Sequence, residues 1–302
     1  MDRQIRVKTP AKLNLTLAIL GRREDGFHEV ETVMQSISIC DELTLRLRRE
    51  AGITLSSALP FLPLDNRNLA YRAALAFFEA AGIRDFGLEI HLQKRIPVGA
   101  GLGGGSANAA GALIGLNRLY QTHFTPAQLA DIGRPLGADV PFCILQGTCL
   151  GTGLGDQLVR LPDLPRCTFV VAKPRKSLST AALYALYDRA GQDEPRPDSG
   201  ALIRALGGPL HKLAACCGNA LQSAAIREVP QIGELLEALT GEDALCAVMT
   251  GSGSAVYGMF AGNGAARSCV ARMRARFPGC FVSLAAPTRA GAFSRRTAPR
   301  PE

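Results

Sequence analysis

No run of 18 or more uncharged apolar residues occurs in the 302-residue chain, which excludes a membrane-spanning helix. The opening MDRQIRVK carries charges and passes straight into a strand pattern, so the expectation is a cytoplasmic protein with no secretory leader. Nine cysteines include no C-x-x-C pair, and Cys216 is adjacent to Cys217, giving neither a zinc spacing nor a disulfide framework. They are expected to be small buried hydrophobes in a reducing compartment. Histidine is scarce, with four in the chain. The net charge of +8, from 34 basic against 26 acidic residues, lacks the aromatic-basic interleaving of a nucleic-acid module. A polyanionic small substrate accounts for it as well, and Arg295, Arg296 and Arg300 belong to a Pro/Ala-rich end expected to be disordered.

What the chain has in quantity is glycine between Ile96 and Ala112, where Gly99, Gly101, Gly103, Gly104 and Gly105 fall within seven positions. Such density bares the backbone amides. Ser106 is expected to cap a helix running to about Tyr120, so a loop of free amides would meet the positive end of a helix dipole, a physical recipe for holding phosphate. Three absences decide which phosphate loop this can be. A dinucleotide fold needs a buried parallel strand beforehand, whereas Phe86, Leu88, Ile90 and Leu92 alternate with Glu89, His91 and Gln93 as in a half-solvated antiparallel strand. It also needs an acidic residue about twenty positions on, and Leu119 to Thr125 has no carboxylate. A Walker loop ends in lysine, and Ala107 follows Ser106.

The alternating segment 5–20 puts Lys12, Asn14 and Thr16 on one strand face, opposite Leu13, Leu15 and Leu17. Either Lys12 is an exposed lysine on a solvated face, or it belongs to a site with Asn14. Phe27 and His28 sit in a polar loop, as a packing pair or as a ring and a hydrogen-bonding group for a heterocycle. Leu43, Leu45 and Leu47 continue the sheet. Asn68 is expected to cap a helix to Phe78 stopped by Gly82, and Thr125-Pro126 to start a short helix ending near Gly133. Asp139, between Gly137 and Pro141, reads as part of a tight turn, its carboxylate either capping the next helical turn or held rigidly near the phosphate loop. Beside Lys12 it would stay ionised and able to accept a proton from a hydroxyl.

From about Pro162 a second half is expected: a strand over 167–172, a helix from Ala181 carrying Tyr184, an exposed loop over 190–200, helices over much of 201–240, two strands around a Gly251/Gly253 turn, a helix over 265–277 and a last strand over 280–285. The glycine turn is compatible with a plain hairpin or with a function. The mixture of elements and the alternating strands argue for an α+β fold.

TPAKLNLTL, PVGAGLGGGSANAA and MTGSGSAVYGMF resemble the three motifs of the GHMP small-molecule kinases, and EDGFHEVETVMQSISICDEL and LGADVPF narrow the resemblance to the branch acting on diphosphocytidyl methylerythritol. It spans roughly residues 7 to 260, is weakest over 190–245 and is absent in the tail. The resemblance implies a two-domain fold, with a ribosomal-protein-S5-like domain over 1–160, a ferredoxin-like α/β-plait domain over 161–288 and a tail over 289–302. It also implies ATP-dependent phosphorylation of the 2-hydroxyl of the substrate, with Asp139 as catalytic base and Lys12 orienting the hydroxyl. Pro97, Val98, Gly99, Ala100, Gly101, Leu102, Gly103, Gly104, Gly105, Ser106 and Ala107 match the ATP loop. Asn14, Phe27, His28, Lys94, Thr180 and Tyr184 match the substrate pocket, Phe27 and Tyr184 at the positions that sandwich the cytosine; Phe27 stands where tyrosine is common. Thr250, Gly251, Ser252 and Gly253 match a glycine turn near substrate or phosphate, and Ser106 is the candidate hydroxyl for Mg²⁺. Ala100 and Ala107 depart from the glycine and serine of some relatives. A monomer or weak homodimer is expected. The alternatives are a kinase of homoserine or mevalonate type, or a nucleotide-binding paralogue without activity, which would be expected to have lost Asp139 or Lys12.

Overall fold

The computed structural model describes residues 3–190 and 196–291. Two long strands, β1 (Gln4–Arg22) and β2 (His28–Leu47), pair antiparallel over nearly their whole length, with register shifts at Pro10/Ala11, Asn14/Thr16 and Ile19/Gly21. β3 (Gly52–Ser57), helix α1 (Leu69–Ala80) and β4 (Gly87–Gln93) follow. β4 is antiparallel to β2, as its alternation predicts, while β3 joins its other edge in parallel, a pairing that alternation alone does not encode. Asn68 caps α1 by accepting from the Ala70 amide, and Gly82 ends it at φ +66°.

The glycine loop leads into α2 (Gly104–Tyr120), which lies against β1 and β2. Contact is close because Gly111 and Gly115 have no side chain: a Cβ would lie 2.2 Å from Thr9 Cγ2 and 2.4 Å from Leu45 Cδ1 respectively. Then come α3 (Pro126–Gly133), entered through a Thr125 capping box, α4 (Asp139–Leu145), β5 (Thr148–Thr152) and β6 (Gln157–Arg160). β5 pairs with β2, and β6 with β5.

Beyond this, the chain runs through β7 (Thr168–Lys173), α5 (Thr180–Ala190), α6 (Ser199–Ala205), α7 (Leu210–Ala214), β8 (Gly218–Asn219), α8 (Gln222–Glu228), α9 (Gln231–Thr240), β9 (Cys246–Met249), β10 (Val256–Phe260), α10 (Asn263–Arg276) and β11 (Phe281–Ala285). The second sheet has the order β11-β7-β10-β9 with every pair antiparallel. Taken in chain order, that is the split β-α-β arrangement of the ferredoxin-like plait. The short β8 returns to the first sheet, parallel to β1, an element hidden from sequence reading by its two-residue length. The expected 190–200 loop ends at Asp198, which caps α6, and residues 191–195 lie outside the described part. Of the expected tail, 289–291 are described, with Arg289 Nε 3.3 Å from Asp163, while 292–302 lie outside. Among the described residues no helix is long and apolar enough to cross a membrane. All nine cysteines are free thiols, buried or half-buried.

Candidate active site

Lys12 and Asn14 lie on the face of β1 that alternation would give to solvent, yet they are 4% and 3% exposed, and Thr16 beside them is buried. The exposed-lysine alternative therefore falls: the second half of the chain covers this face. Thr250 Oγ1 accepts from the Asn14 amide at 3.0 Å, and Thr16 Oγ1 lies 2.8 Å from Ser199 Oγ. Inside this strip Lys12 Nζ donates to Asn14 Oδ1 at 2.6 Å and stands 3.3 Å from Asp139 Oδ2.

Asp139 corrects a second expectation. It is not part of an isolated tight turn but the first residue of α4, with Pro141 two positions on in the first turn, where its ring is tolerated. Ala138 is the N-cap and no side chain caps this helix, so the carboxylate is not spent on capping and points to Lys12 with 34% of its surface open.

Ser106 does not cap α2 either. The N-cap is Gly103 in the left-handed region at φ +68°, and Ser106 is the third helical residue. The first intrahelical bond runs from Ala107 N to Gly103 O, so the Gly104, Gly105 and Ser106 amides precede it without helical acceptors. Glycine suits position 103 on a second count, because a Cβ there would come to 3.0 Å from Lys12 Cγ, so that the lysine side chain would have to give. These amides open onto a cavity of about 390 Å³ lined by Pro97 to Ser106, Lys94, Asn108, Asp139, Thr180, Ser252 and Gly253. A dipole end, an ion pair and bare amides thus converge on one hollow, suited to a phosphorylated ligand and a hydroxyl to be deprotonated.

The Thr250–Gly253 turn is more than a hairpin connection. Ala255 N donates to Ala100 O at 3.1 Å, and a Cβ on Gly101 would meet Thr250 O at 2.2 Å. The turn itself is held by Asn219, whose Nδ2 donates to Met249 O and Gly251 O, both at 2.8 Å. Ser252 Oγ lies 2.8 Å from Thr180 Oγ1.

A pair of rings packs at the start of β2. Tyr184 lies against His28 with centroids 4.7 Å apart, and His28 Nε2 is 2.7 Å from Asp188 Oδ1. Phe27, the residue before His28, is 62% exposed. Burial, and then the charge of Asp139, push the Tyr184 phenol up to about 12, and the same two causes push the buried Cys143 thiol up.

Lys94 is not among these rings. Its ammonium is buried under the glycine loop, paired with Asp41 and donating to Asn108 Oδ1 at 2.9 Å. Asp41 is the main residue that sequence reading passed over. Fully buried, it accepts from the Arg95 and Ile96 amides at 2.6 and 2.8 Å and from Asn108 Nδ2 at 2.9 Å, so it anchors the chain entering the loop. A signal existed: Asp41 has the parity of Leu43, Leu45 and Leu47, which places a carboxylate on the core face. Asn108, a lone amide among buried alanines, carried a similar one. Among the described residues no cluster of three or more His, Cys, Asp or Glu could hold a metal.

Comparison with known proteins agrees with this geometry. The profile of the GHMP kinases N terminal domain matches residues 68–147, and that of GHMP kinases C terminal matches residues 201–279. A 4-diphosphocytidyl-2-C-methyl-D-erythritol kinase of Alkaliphilus metalliredigens is 43% identical over 267 residues, covering 88% of this chain and 91% of the relative. A crystal structure of 4-(cytidine 5'-diphospho)-2C-methyl-D-erythritol kinase superposes with a TM-score of 0.78 at 34% identity, over 93% of this chain and 99% of the other. Homoserine kinase from Cytophaga hutchinsonii shares the fold, with a TM-score of 0.74 at 20% identity over 95% of each chain.

Proposed function

The chain belongs to the GHMP kinases and, within them, to the group of the 4-diphosphocytidyl-2-C-methyl-D-erythritol kinases, and from that premise we propose that it transfers the γ-phosphoryl group of ATP to the 2-hydroxyl of 4-diphosphocytidyl-2-C-methyl-D-erythritol, a step of non-mevalonate isoprenoid precursor synthesis. The observation that carries the reading is the Lys12–Asp139 pair, 3.3 Å apart, whose carboxylate lines the glycine-loop cavity. Asp139 takes the proton of the substrate hydroxyl as that oxygen bonds to the γ-phosphorus and the bond to the β-phosphate oxygen breaks, leaving ADP. Lys12, held straight by Asn14, orients the hydroxyl and balances the charge that grows on the phosphoryl oxygens. The amides from Pro97 to Ala107 cradle the ATP phosphates, and Thr250 to Gly253 close the cradle from the other half of the chain.

On the substrate side, Phe27, His28 and Tyr184 receive the cytosine, with Asn14 and Thr180 nearer the reacting end. Lys94, its ammonium tied to Asp41 and Asn108, contributes from beneath the loop. Mg²⁺ fits a site of this kind: Ser106 and Asp139 present hard oxygen atoms to the cavity, and an ion held mainly by phosphates and water needs few protein ligands. Bound there, it would neutralise phosphate charge during transfer. Residues 1–160 form the ATP-binding half in this reading and 161–288 the second half, in a cytoplasmic monomer or weak homodimer.

ADP release measured with the diphosphocytidyl ester, homoserine and mevalonate in parallel tests the proposal. Turnover confined to the cytidine ester is expected. Comparable turnover on either other alcohol, or none on the ester, overturns it.

A further inference from the structure

The turn from Thr250 to Gly253 carries a freedom that the site has to suppress. Gly251 adopts φ +57°, and a Cβ there would lie 2.8 Å from Gly101 O and 3.3 Å from Lys12 Nζ, so only glycine fits between the phosphate loop and the ammonium. Glycine is also the residue whose backbone turns most easily. Rotation of its peptide can bring the Gly251 carbonyl towards Nζ, where it would compete for the protons that Lys12 directs to Asn14 and Asp139.

Asn219 removes that freedom. Its Nδ2 gives one N–H to Met249 O and the other to Gly251 O, both at 2.8 Å, while its Oδ1 accepts from the Leu221 amide at 2.9 Å. Two carbonyls on one side and an amide on the other fix the orientation of the side chain. At 7% exposure it is shielded from competing water. Its backbone is tied as well: β8 pairs with β1 at Leu17, and Ala220 N donates to Leu17 O at 2.9 Å. β1 is the strand that carries Lys12, so the clamp and the lysine share one support.

We propose that Asn219 is a positioning residue for phosphoryl transfer: by holding the Gly251 carbonyl it keeps that acceptor off the Lys12 ammonium, which stays with Asn14 and Asp139. The inference rests on the proposed function and adds to it a residue that acts through the glycine turn. Because the group it protects is the ammonium beside the base, its loss falls on turnover rather than on substrate binding.

The test compares the full chain with Asn219→Ala and Gln222→Ala by ADP release on the diphosphocytidyl ester and by thermal unfolding. Gln222 is the control, since its Oε1 accepts from the Met249 amide at 2.9 Å and so steadies the same strand end without holding Gly251. Both variants should unfold at lower temperature than the wild type. Asn219→Ala is expected to lose at least about tenfold in kcat with both KM values within about threefold of wild type, whereas Gln222→Ala keeps its kcat. Asn219→Ser, which leaves a polar group and room for a water, replaces the alanine variant if that one does not fold, and the same loss of kcat is expected. In the wild type both side-chain amide protons of Asn219 should exchange slowly with solvent, and rapid exchange of either overturns the inference whatever the variants do. A folded Asn219 variant with undiminished kcat also overturns it, as does an equal loss in Gln222→Ala, and both leave the proposed function standing. A wild type without turnover on the ester overturns the proposed function and this inference together.

Discussion

The approach of the glycine loop to the Thr250 turn can be broken by one methyl group. Gly101 adopts φ +72°, and a Cβ there would lie 2.2 Å from Thr250 O and 3.0 Å from Gly253 N, both backbone atoms that cannot swing aside. Two costs follow for Gly101→Ala: about 1 kcal/mol for a side chain in the left-handed region, and about 1–3 kcal/mol for forcing two packed backbones apart. Gly207→Ala isolates the first cost, because Gly207 has φ +85° and nothing within 4 Å of its would-be Cβ. The expected losses are therefore about 2–4 kcal/mol against about 1 kcal/mol, which for a chain of this size is a fall in Tm of roughly 4–8 °C against roughly 2 °C. Activity should separate the pair further. Pushing Thr250 O away also disturbs the bond from Ala255 N to Ala100 O, so Gly101→Ala should lose at least about tenfold in kcat/KM for ATP while Gly207→Ala stays near wild type. Thermal unfolding and steady-state kinetics on both variants decide the matter. Equal Tm shifts with equal activities would refute the idea that loop and turn are built as one unit.

Asp139→Asn keeps the shape of the side chain and removes its basicity; kcat should fall by on the order of 10²-fold or more in a chain that still folds, and near-normal turnover would sink its role as base. Asp41→Ala strands the Lys94 ammonium in a buried site and frees the Arg95 and Ile96 amides, a loss of about 3–5 kcal/mol in denaturant unfolding, accompanied by a higher KM for ATP. Alkaline pH should expose a third effect. Burial pushes the Cys149 thiol up to about 11 and the Cys167 thiol up to about 12, and raises Cys143 as well. A raised thiol stabilises the fold fully below the pKa of the unfolded chain, near 9, and the contribution is lost as pH rises, because the unfolded chain ionises first. Between pH 7 and pH 10 each of the three should cost about 1.4 kcal/mol, so Cys149→Ala should shrink the pH-dependent loss by that amount; an identical loss in wild type and variant would show that the thiol ionises freely in the fold.

What could be read from the sequence was local chemistry. The phosphate loop, the Asn68 and Thr125 caps and the Gly82 stop each declare themselves within a few residues, because a cap or a left-handed turn is decided by its immediate neighbours. Ser106 misled for a related reason: serine before an alanine-rich helix is a good cap, but Gly103 starts the helix earlier and leaves the intervening amides without helical acceptors. Contacts set by the global path stayed hidden. Asp41 meets Lys94 across 53 positions, and Asn14 meets Thr250 across 236.

Strand parity was the sharper instrument, and it failed in an instructive direction. It correctly set Leu13 and Leu15 into the core and Lys12, Asn14 and Thr16 opposite them, but in a single sheet the opposite face belongs to water. Here the Thr250 turn and the start of α6 cover that face, so the polar strip is desolvated without becoming apolar. A desolvated strip of lysine, amide and hydroxyl groups must satisfy itself internally, and this one does so through Asn14, whose Oδ1 accepts a hydrogen bond from Lys12 Nζ at 2.6 Å and whose Nδ2 donates one to Thr32 Oγ1 at 2.8 Å. The bond from Nζ to Asn14 restricts the ammonium and sets it beside Asp139, which lines the cavity. The face that parity assigned to solvent therefore holds the reacting groups, because a lysine in open water would have many rotamers and this one is held by two partners.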